Sequence, residues 1–388
     1  MAFGDFTVDR NNKKYVLGSG GTIIEYAEDE PAFEFNADGS YKGLLVEPAA
    51  TNYCRQSEDF ATTWNEEGLT SRSAVANTLT GLTDANELVE DLSASAQHRV
   101  YQTITIAPGT VYTASVYVKR GVGTRQFGIQ NVFAGSKVYF DLGTGTVGEE
   151  TNGTGEILDM GNGWYRCSAT GTSTTTYTTL YLAICDGTTL GSETYNGDGS
   201  SSLILYGAQL ETGPIATSYI PTTTASVTRV KDDITLGSAS SLIGQTEGTL
   251  YVEVDWRLAT GTFQELLNAS DGTGNNVIAI YNNSSPVELR MYARADANTK
   301  TAQGVSSTGF SGIQKIAFAY ADADFELYRN GSSVSSDTFG SLAALATLTD
   351  IYLGQNVITG NQANMHIRAV ALYPKRLSDA EAQALTTL

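Results

Sequence analysis

The stretch Leu250-Tyr-Val-Glu-Val-Asp-Trp-Arg-Leu258 decides the fold class. Side chains alternate faces along an extended chain, so Leu250, Val252, Val254, Trp256 and Leu258 fall on one side and Tyr251, Glu253, Asp255 and Arg257 on the other. One face meets a core and the other meets water. The same period of two recurs at Val287, Leu289, Met291 and Ala293, and again at Ile316, Phe318 and Tyr320. Between Phe325 and Val334 stands Asn330-Gly331, a dipeptide suited to a two-residue hairpin turn. These segments predict antiparallel sheets. The one helix the sequence supports lies at the end, where Ser378-Asp-Ala-Glu381 has the capping-box pattern ahead of Ala382 to Leu385.

Upstream, Tyr112, Ala114, Val116 and Val118 alternate with Thr113, Ser115, Tyr117 and Lys119, which predicts a half-buried strand over 111–119. Leu203 to Leu210 is a nearly continuous apolar run behind the turn residues 197–200, the pattern of a strand buried on both faces. After Ile220-Pro221 a Thr-, Ser- and Gly-rich stretch runs to Gly248, interrupted by Val227 to Leu236, and reads as a connection. A chain of 388 residues is long enough for two or three domains at roughly 100 to 200 residues each. The expected architecture is all-β: two consecutive antiparallel β-sandwich (jelly-roll) domains with a short C-terminal helix. The expected division is an attachment or oligomer-contact segment over 1–50, a first sandwich over 51–222, a linker over 223–247 and a second sandwich over 248–388.

Acidic residues number 42 against 23 basic, a formal charge of −19, so the overall field repels a polyanionic backbone and disfavours a nucleic-acid partner. No segment approaches the ~18 consecutive apolar residues of a membrane helix, and Met1-Ala-Phe-Gly-Asp-Phe-Thr7 lacks the pattern of an export signal. The expectation is a protein with no membrane partner, assembled inside a cell and released by lysis. Cys54, Cys167 and Cys185 form no CxxC pair and read as buried thiols, with one disulfide and one leftover cysteine as the alternative. His98 and His366 have no ligand spacing, so neither a zinc site nor histidine-based catalysis is expected.

Several stretches, in order, resemble a pattern common in phage fibre, spike and other virion surface proteins. They are Gly43-Leu-Leu-Val-Glu-Pro-Ala-Ala-Thr-Asn52, Ser57-Glu-Asp-Phe-Ala-Thr-Thr-Trp64, Thr110 to Lys119, Gly161-Asn-Gly-Trp-Tyr-Arg166, Tyr206-Gly-Ala-Gln-Leu-Glu-Thr-Gly213, Thr217-Ser-Tyr-Ile-Pro-Thr222 and Val227-Thr-Arg229. The resemblance implies that 51–222 is a jelly roll similar to carbohydrate-binding modules. Downstream, Phe325-Glu-Leu-Tyr-Arg-Asn-Gly331 and Ile367-Arg-Ala-Val-Ala-Leu-Tyr-Pro-Lys-Arg-Leu-Ser-Asp-Ala-Glu381 resemble a laminin-G-like, concanavalin-type jelly roll over 248–388. Together they imply a virion-located surface protein, a head or tail fibre, spike or decoration subunit. Its implied partners are other virion proteins, copies of itself with a trimer preferred, and a host-surface glycan. The alternative is a non-catalytic binding portion of a secreted polysaccharide-degrading enzyme, or a bacterial surface adhesin.

Glycosidases of the concanavalin type resemble one another in a strand motif in which Glu-x-Asp is followed by a second Glu. Glu253-Val-Asp255 begins that way, but Arg257 and Leu258 stand where the second Glu belongs, so no catalytic residues are assigned. Gly143-Thr-Gly-Thr-Val-Gly148 matches a nucleotide-loop spacing, yet no helix can follow it, and it reads as a hairpin turn after Lys137 to Leu142. No cofactor is expected beyond a structural calcium ion, for which Asp198 and Asp271 are the candidate ligands. Trp64, Trp164 and Trp256 read as core. Tyr117, Tyr251 and Tyr292 fall on the predicted wet faces and are the carbohydrate-binding candidates.

Overall fold

A computed structural model describes residues 3–256, 263–357 and 362–388; Arg257 and Leu258 lie outside these residues. Strands occupy 54% of the chain and helix 3%, which makes the fold all-β, and among the described residues every strand pairing is antiparallel. In the C-terminal sandwich, Gly248–Trp256 lies between Gly312–Ala321 and Met365–Tyr373 in a seven-stranded sheet. Opposite it, Gln264–Ser270, Val277–Ser284 and Val287–Ala295 form the centre of an eight-stranded sheet. Leu250, Val252, Val254 and Trp256 meet Ile278, Ile280, Leu289 and Met291 in the core between them, as the alternation requires. Asn330 and Gly331 both have positive φ, 48° and 81°, the backbone of the turn that joins Asp324–Arg329 to Ser332–Asp337.

In the N-terminal sandwich a six-stranded sheet, with Val111–Arg120 between Trp164–Thr172 and Ser202–Thr212, faces a seven-stranded one centred on Gln126–Gln130, Tyr177–Cys185 and Ala96–Thr105. Leu203–Leu210 is buried almost throughout. The three tryptophans are core residues, at 3%, 1% and 2% exposure for Trp64, Trp164 and Trp256. Cys54, Cys167 and Cys185 are free, buried thiols, and burial pushes each thiol's pKa up. The glycines of 143–148 lie in and beside the turn between Lys137–Asp141 and Thr146–Thr151.

The boundaries differ from the expected division. Thr7–Asp9 pairs with Asp233–Leu236, which pairs with Asp350–Leu353, so the N-terminal segment and the stretch read as a linker both supply strands to the eight-stranded sheet of the C-terminal sandwich. Phe33–Phe35 and Tyr41–Val46 extend its seven-stranded sheet. The physical reason is burial: Val8, Leu44 and Val46 complete the C-terminal core, each such side chain stabilising by roughly 1.5–3 kcal/mol. Between these strands the hairpin Lys14–Leu17 with Ile23–Tyr26 crosses to the N-terminal sandwich. Its Leu17 and Ile23 pack on Tyr117, Met160, Trp164, Tyr206 and Tyr219, on the outer face of the six-stranded sheet.

Two expectations of exposure are overturned by covering elements, the hairpin in one case and the C-terminal helix in the other. Tyr117, expected on a wet face, is 3% exposed, because the hairpin makes its strand buried on both sides. Gly207, at φ 65°, leaves the space beside it, since an added Cβ would stand 3.0 Å from the Tyr117 ring and 3.2 Å from Tyr219. Tyr251 is 6% exposed, because Leu377 and Ala382 of the C-terminal helix region pack over it. The helix Asp379–Thr386 has the expected capping box, with Ser378 and Glu381 each bonding the other's backbone. Ser378→Ala is expected to cost about 1 kcal/mol, read as a lowered midpoint in denaturant titration. No helix among the described residues is long and apolar enough to cross a membrane.

Candidate functional site

The motif residues that carry the resemblance converge on the junction of the two sandwiches. Glu47 accepts the Ser218 backbone N–H and hydroxyl, both at 2.6 Å. Arg229 donates to the Ser218 carbonyl at 3.0 Å and ion-pairs with Glu47 at 3.2 Å. Asn52 donates to the carbonyls of Ala208 and Ile220, Ser57 bonds the Tyr219 hydroxyl, and Arg166 donates to the Thr217 carbonyl at 2.6 Å. Lys14 adds contacts to Glu47 at 3.1 Å and Asp232 at 2.5 Å, while Arg10 holds the other oxygen of Asp232 at 3.0 Å. Arg10, Lys14, Glu47, Arg229 and Asp232 are all at most 2% exposed. Burial penalises the Glu47 carboxylate, but the Arg229 and Lys14 charges and the Ser218 bonds outweigh it and hold its pKa well below the ordinary range. The bonds of Asn52, Ser57 and Arg166 lie within the N-terminal sandwich, while Glu47 and Asp232, through Ser218, Arg229, Lys14 and Arg10, fasten the two sandwiches together.

The surface that this network leaves open lies elsewhere. The outer face of the seven-stranded N-terminal sheet carries a row of residues in register across five strands, running Asn65, Tyr101, Tyr181, Gln130 and Lys137. The next rows add Arg99, then Thr103 opposite Thr179, then Thr105 opposite Tyr177. Alternation puts them there: His98, Val100, Gln102 and Ile104 are buried, so Arg99, Tyr101, Thr103 and Thr105 point outward. The Tyr101 and Tyr181 rings stand 5.4 Å apart, the Arg99 guanidinium lies 3.8 Å over Tyr181, and the Thr103 and Thr179 hydroxyls bond at 3.1 Å. Tyr177 is 61% exposed. Glu67 neutralises Arg99 at 2.7 Å and Glu193 neutralises Lys137 at 2.5 Å. Gln130 is 3% exposed and its amide nitrogen has no partner among the described residues. The result is a platform of aromatic faces and hydroxyls with its charges compensated, suited to stacking and hydrogen-bonding with a polyhydroxylated surface.

The sequence-predicted candidates are not brought together. Tyr117 is buried at the junction and Tyr251 lies beneath the helix, its hydroxyl 3.3 Å from Glu253. Tyr292 is half-buried on the outer face of the eight-stranded sheet, in a row with Ala279, Asn268 and Tyr352. Asp198 bonds Ser200 and Ser201, which hold its pKa below the ordinary range. In Asp271, burial raises the pKa but bonds from Thr273 and Asn276 outweigh it. Both carboxylates thus serve their own turns, and no cluster of three or more His, Cys, Asp or Glu suited to a metal occurs among the described residues. Glu253 receives the Arg368 Nε–H at 2.8 Å, and Arg368 also donates to the Tyr41 carbonyl, so Glu253 helps to seat the N-terminal strand. Tyr101 and Tyr181 were missed by the sequence reading, although the alternation of Arg99, Tyr101, Thr103 and Thr105 was there to be read.

No family model and no curated protein matches the chain. Among solved structures it is similar to the carbohydrate-binding module of a Ruminococcus gnavus IT-sialidase, at 20% identity and a TM-score of 0.32, over 38% of this chain and 86% of that one. It is similar to a leech intramolecular trans-sialidase at 18% identity and a TM-score of 0.31, over 37% and 24%. A botulinum neurotoxin serotype D/C binding domain gives 13% identity and a TM-score of 0.34, over 40% of each chain. Each likeness spans less than half of this chain.

Proposed function

We propose that the chain is a non-catalytic adhesive protein displayed on a virion, which attaches to a host-surface glycan through the tyrosine–threonine face of its N-terminal sandwich. The observation that carries this is the transverse row Asn65, Tyr101, Tyr181, Gln130 and Lys137, in register across five strands of one sheet face. Large half-exposed aromatics beside hydroxyls give area for stacking at low side-chain entropy cost. A shallow face of this kind binds weakly by itself, and assembly as a homo-oligomer, a trimer in this reading, multiplies the contact by avidity. The sequence resemblance over residues 43–229 supports the virion placement.

Immunogold labelling of purified particles with antibody raised against the full chain tests that placement. Surface label at symmetric positions is the expected result, and particles that carry no copies of the chain would overturn it.

A further inference from the structure

A second recognition feature lies at the junction itself. Between the Glu34–Asp38 turn of one sandwich and the Leu158–Met160 strand of the other opens a cleft of about 370 Å³. Leu17, Phe35, Leu158 and Met160 supply its apolar surface, and Phe35 is half-exposed with its ring 5.7 Å from that of Tyr41. Asn36, Asp38, Lys42 and Asp159 stand with Glu34 as its polar groups. Behind it a chamber of about 20 Å³ shares Leu17, Glu34, Leu158 and Met160 as walls and is closed by Tyr117, Glu47, Ser218 and Arg166. The chamber has room for one water, which needs about 10–15 Å³. Arg166 is 9% exposed, and its Nε–H, buried, has no partner among the described residues. An apolar floor, convergent polar groups and a position between domains are the usual attributes of a small-ligand site.

The charges select the ligand. Glu34, Asp38 and Asp159 face one lysine, Lys42, and Glu34 is already held by His366 at 2.5 Å and by Lys42 at 3.4 Å. An anionic ligand would meet Asp38 and Asp159, which have no ion pair among the described residues, whereas hydroxyl groups can donate to the carboxylate oxygens left beside their bonds from the Ser40 and Gly161 N–H groups, and to Asn36. We infer that this junction cleft binds an uncharged pyranose unit, with Phe35 as the stacking ring and Asp159 and Asp38 as hydroxyl acceptors. The site rests on the adhesive reading of the chain but is separate from the tyrosine face, and neither sandwich could form it alone.

The test is saturation-transfer NMR of the full chain with two panels of oligosaccharides, one neutral and one carrying uronic or sialic acids. Read in a Tyr101→Ala/Tyr181→Ala background, so that the tyrosine face contributes nothing, the expected result is transfer to a neutral sugar, weakened about tenfold or more by Phe35→Ala and kept within about threefold by Phe35→Tyr. Ala37→Trp, which fills the cleft while leaving Phe35 in place, should abolish binding, and thermal melts of each variant confirm that it folds. Preference for the acidic panel, binding insensitive to Phe35→Ala and Ala37→Trp, or no transfer to any neutral sugar would overturn the cleft assignment. Retention of the chain on whole cells, lost in Tyr101→Ala/Tyr181→Ala, would leave the adhesive reading standing when the cleft fails.

Discussion

Replacing Asp232 with alanine is expected to lower the free energy of unfolding by about 3–5 kcal/mol, the cost of leaving buried charges without their partner. Asp232 is 1% exposed, and its carboxylate takes Lys14 at 2.5 Å, Arg10 at 3.0 Å and the Glu47 backbone N–H at 2.8 Å. Its loss leaves Arg10 with no carboxylate partner among the described residues and Lys14 with Glu47 alone, where water cannot reach them. The chain crosses the junction at 9–14, 26–33, 46–50 and 229–233, so the wild type should unfold in a single calorimetric transition. Asp232→Ala should lower the midpoint and split the transition in two, since Lys14, Glu47 and Arg229 then hold the sandwiches less firmly. By contrast, Glu381→Gln removes an ion pair with Lys375 in which both side chains are more than half exposed. The loss of that pair alone should matter little, because such pairs contribute at most about 1 kcal/mol.

The second large effect is a decline in stability from acid to mildly alkaline pH that traces to Glu265. Its carboxyl is 1% exposed, accepts from Asn268 at 2.9 Å and Asn356 at 3.4 Å, and is pushed up to about 8 by burial. A folded-state pKa above the ordinary 4.5 means that the native chain binds the extra proton, so the contribution is complete below 4.5 and is lost as pH rises through 8. At about 1.4 kcal/mol per pH unit, the decline across that window is on the order of 5 kcal/mol. Glu265→Gln keeps the shape and the amide contacts without the titration. The difference between wild type and Glu265→Gln, measured by denaturant titration from pH 4 to pH 9, should therefore shrink toward acid and grow toward pH 9 in favour of the variant.

Local patterns were legible where local physics decides. The alternation at Leu250, Val252, Val254 and Trp256, the Asn330-Gly331 turn and the Ser378 cap all stand as the sequence implies. Strands of three or four residues, such as Thr7–Asp9 and Phe33–Phe35, are too short to show a period, so the N-terminal segment read as a separate attachment piece. Tyr117 and Tyr251 were misjudged because a strand's second face is covered by elements far away in sequence, the Lys14–Tyr26 hairpin and the C-terminal helix. The charge cluster was out of reach for the same reason, since Arg10, Lys14, Glu47, Arg229 and Asp232 meet only after folding. One hint was present: Lys14 and Glu47 each adjoin apolar runs, Tyr15-Val-Leu17 and Leu44-Leu-Val46.

The measurement that bears most directly on the adhesive account is retention of the purified full chain on cells bearing surface glycans, wild type against Tyr101→Ala/Tyr181→Ala. The account predicts that the wild type is retained without release of reducing ends. It also predicts that the double variant, folded by its thermal melt, loses about tenfold or more in apparent affinity, roughly 1.4 kcal/mol or above. Equal retention of the two proteins, or release of reducing ends by the wild type, would contradict it.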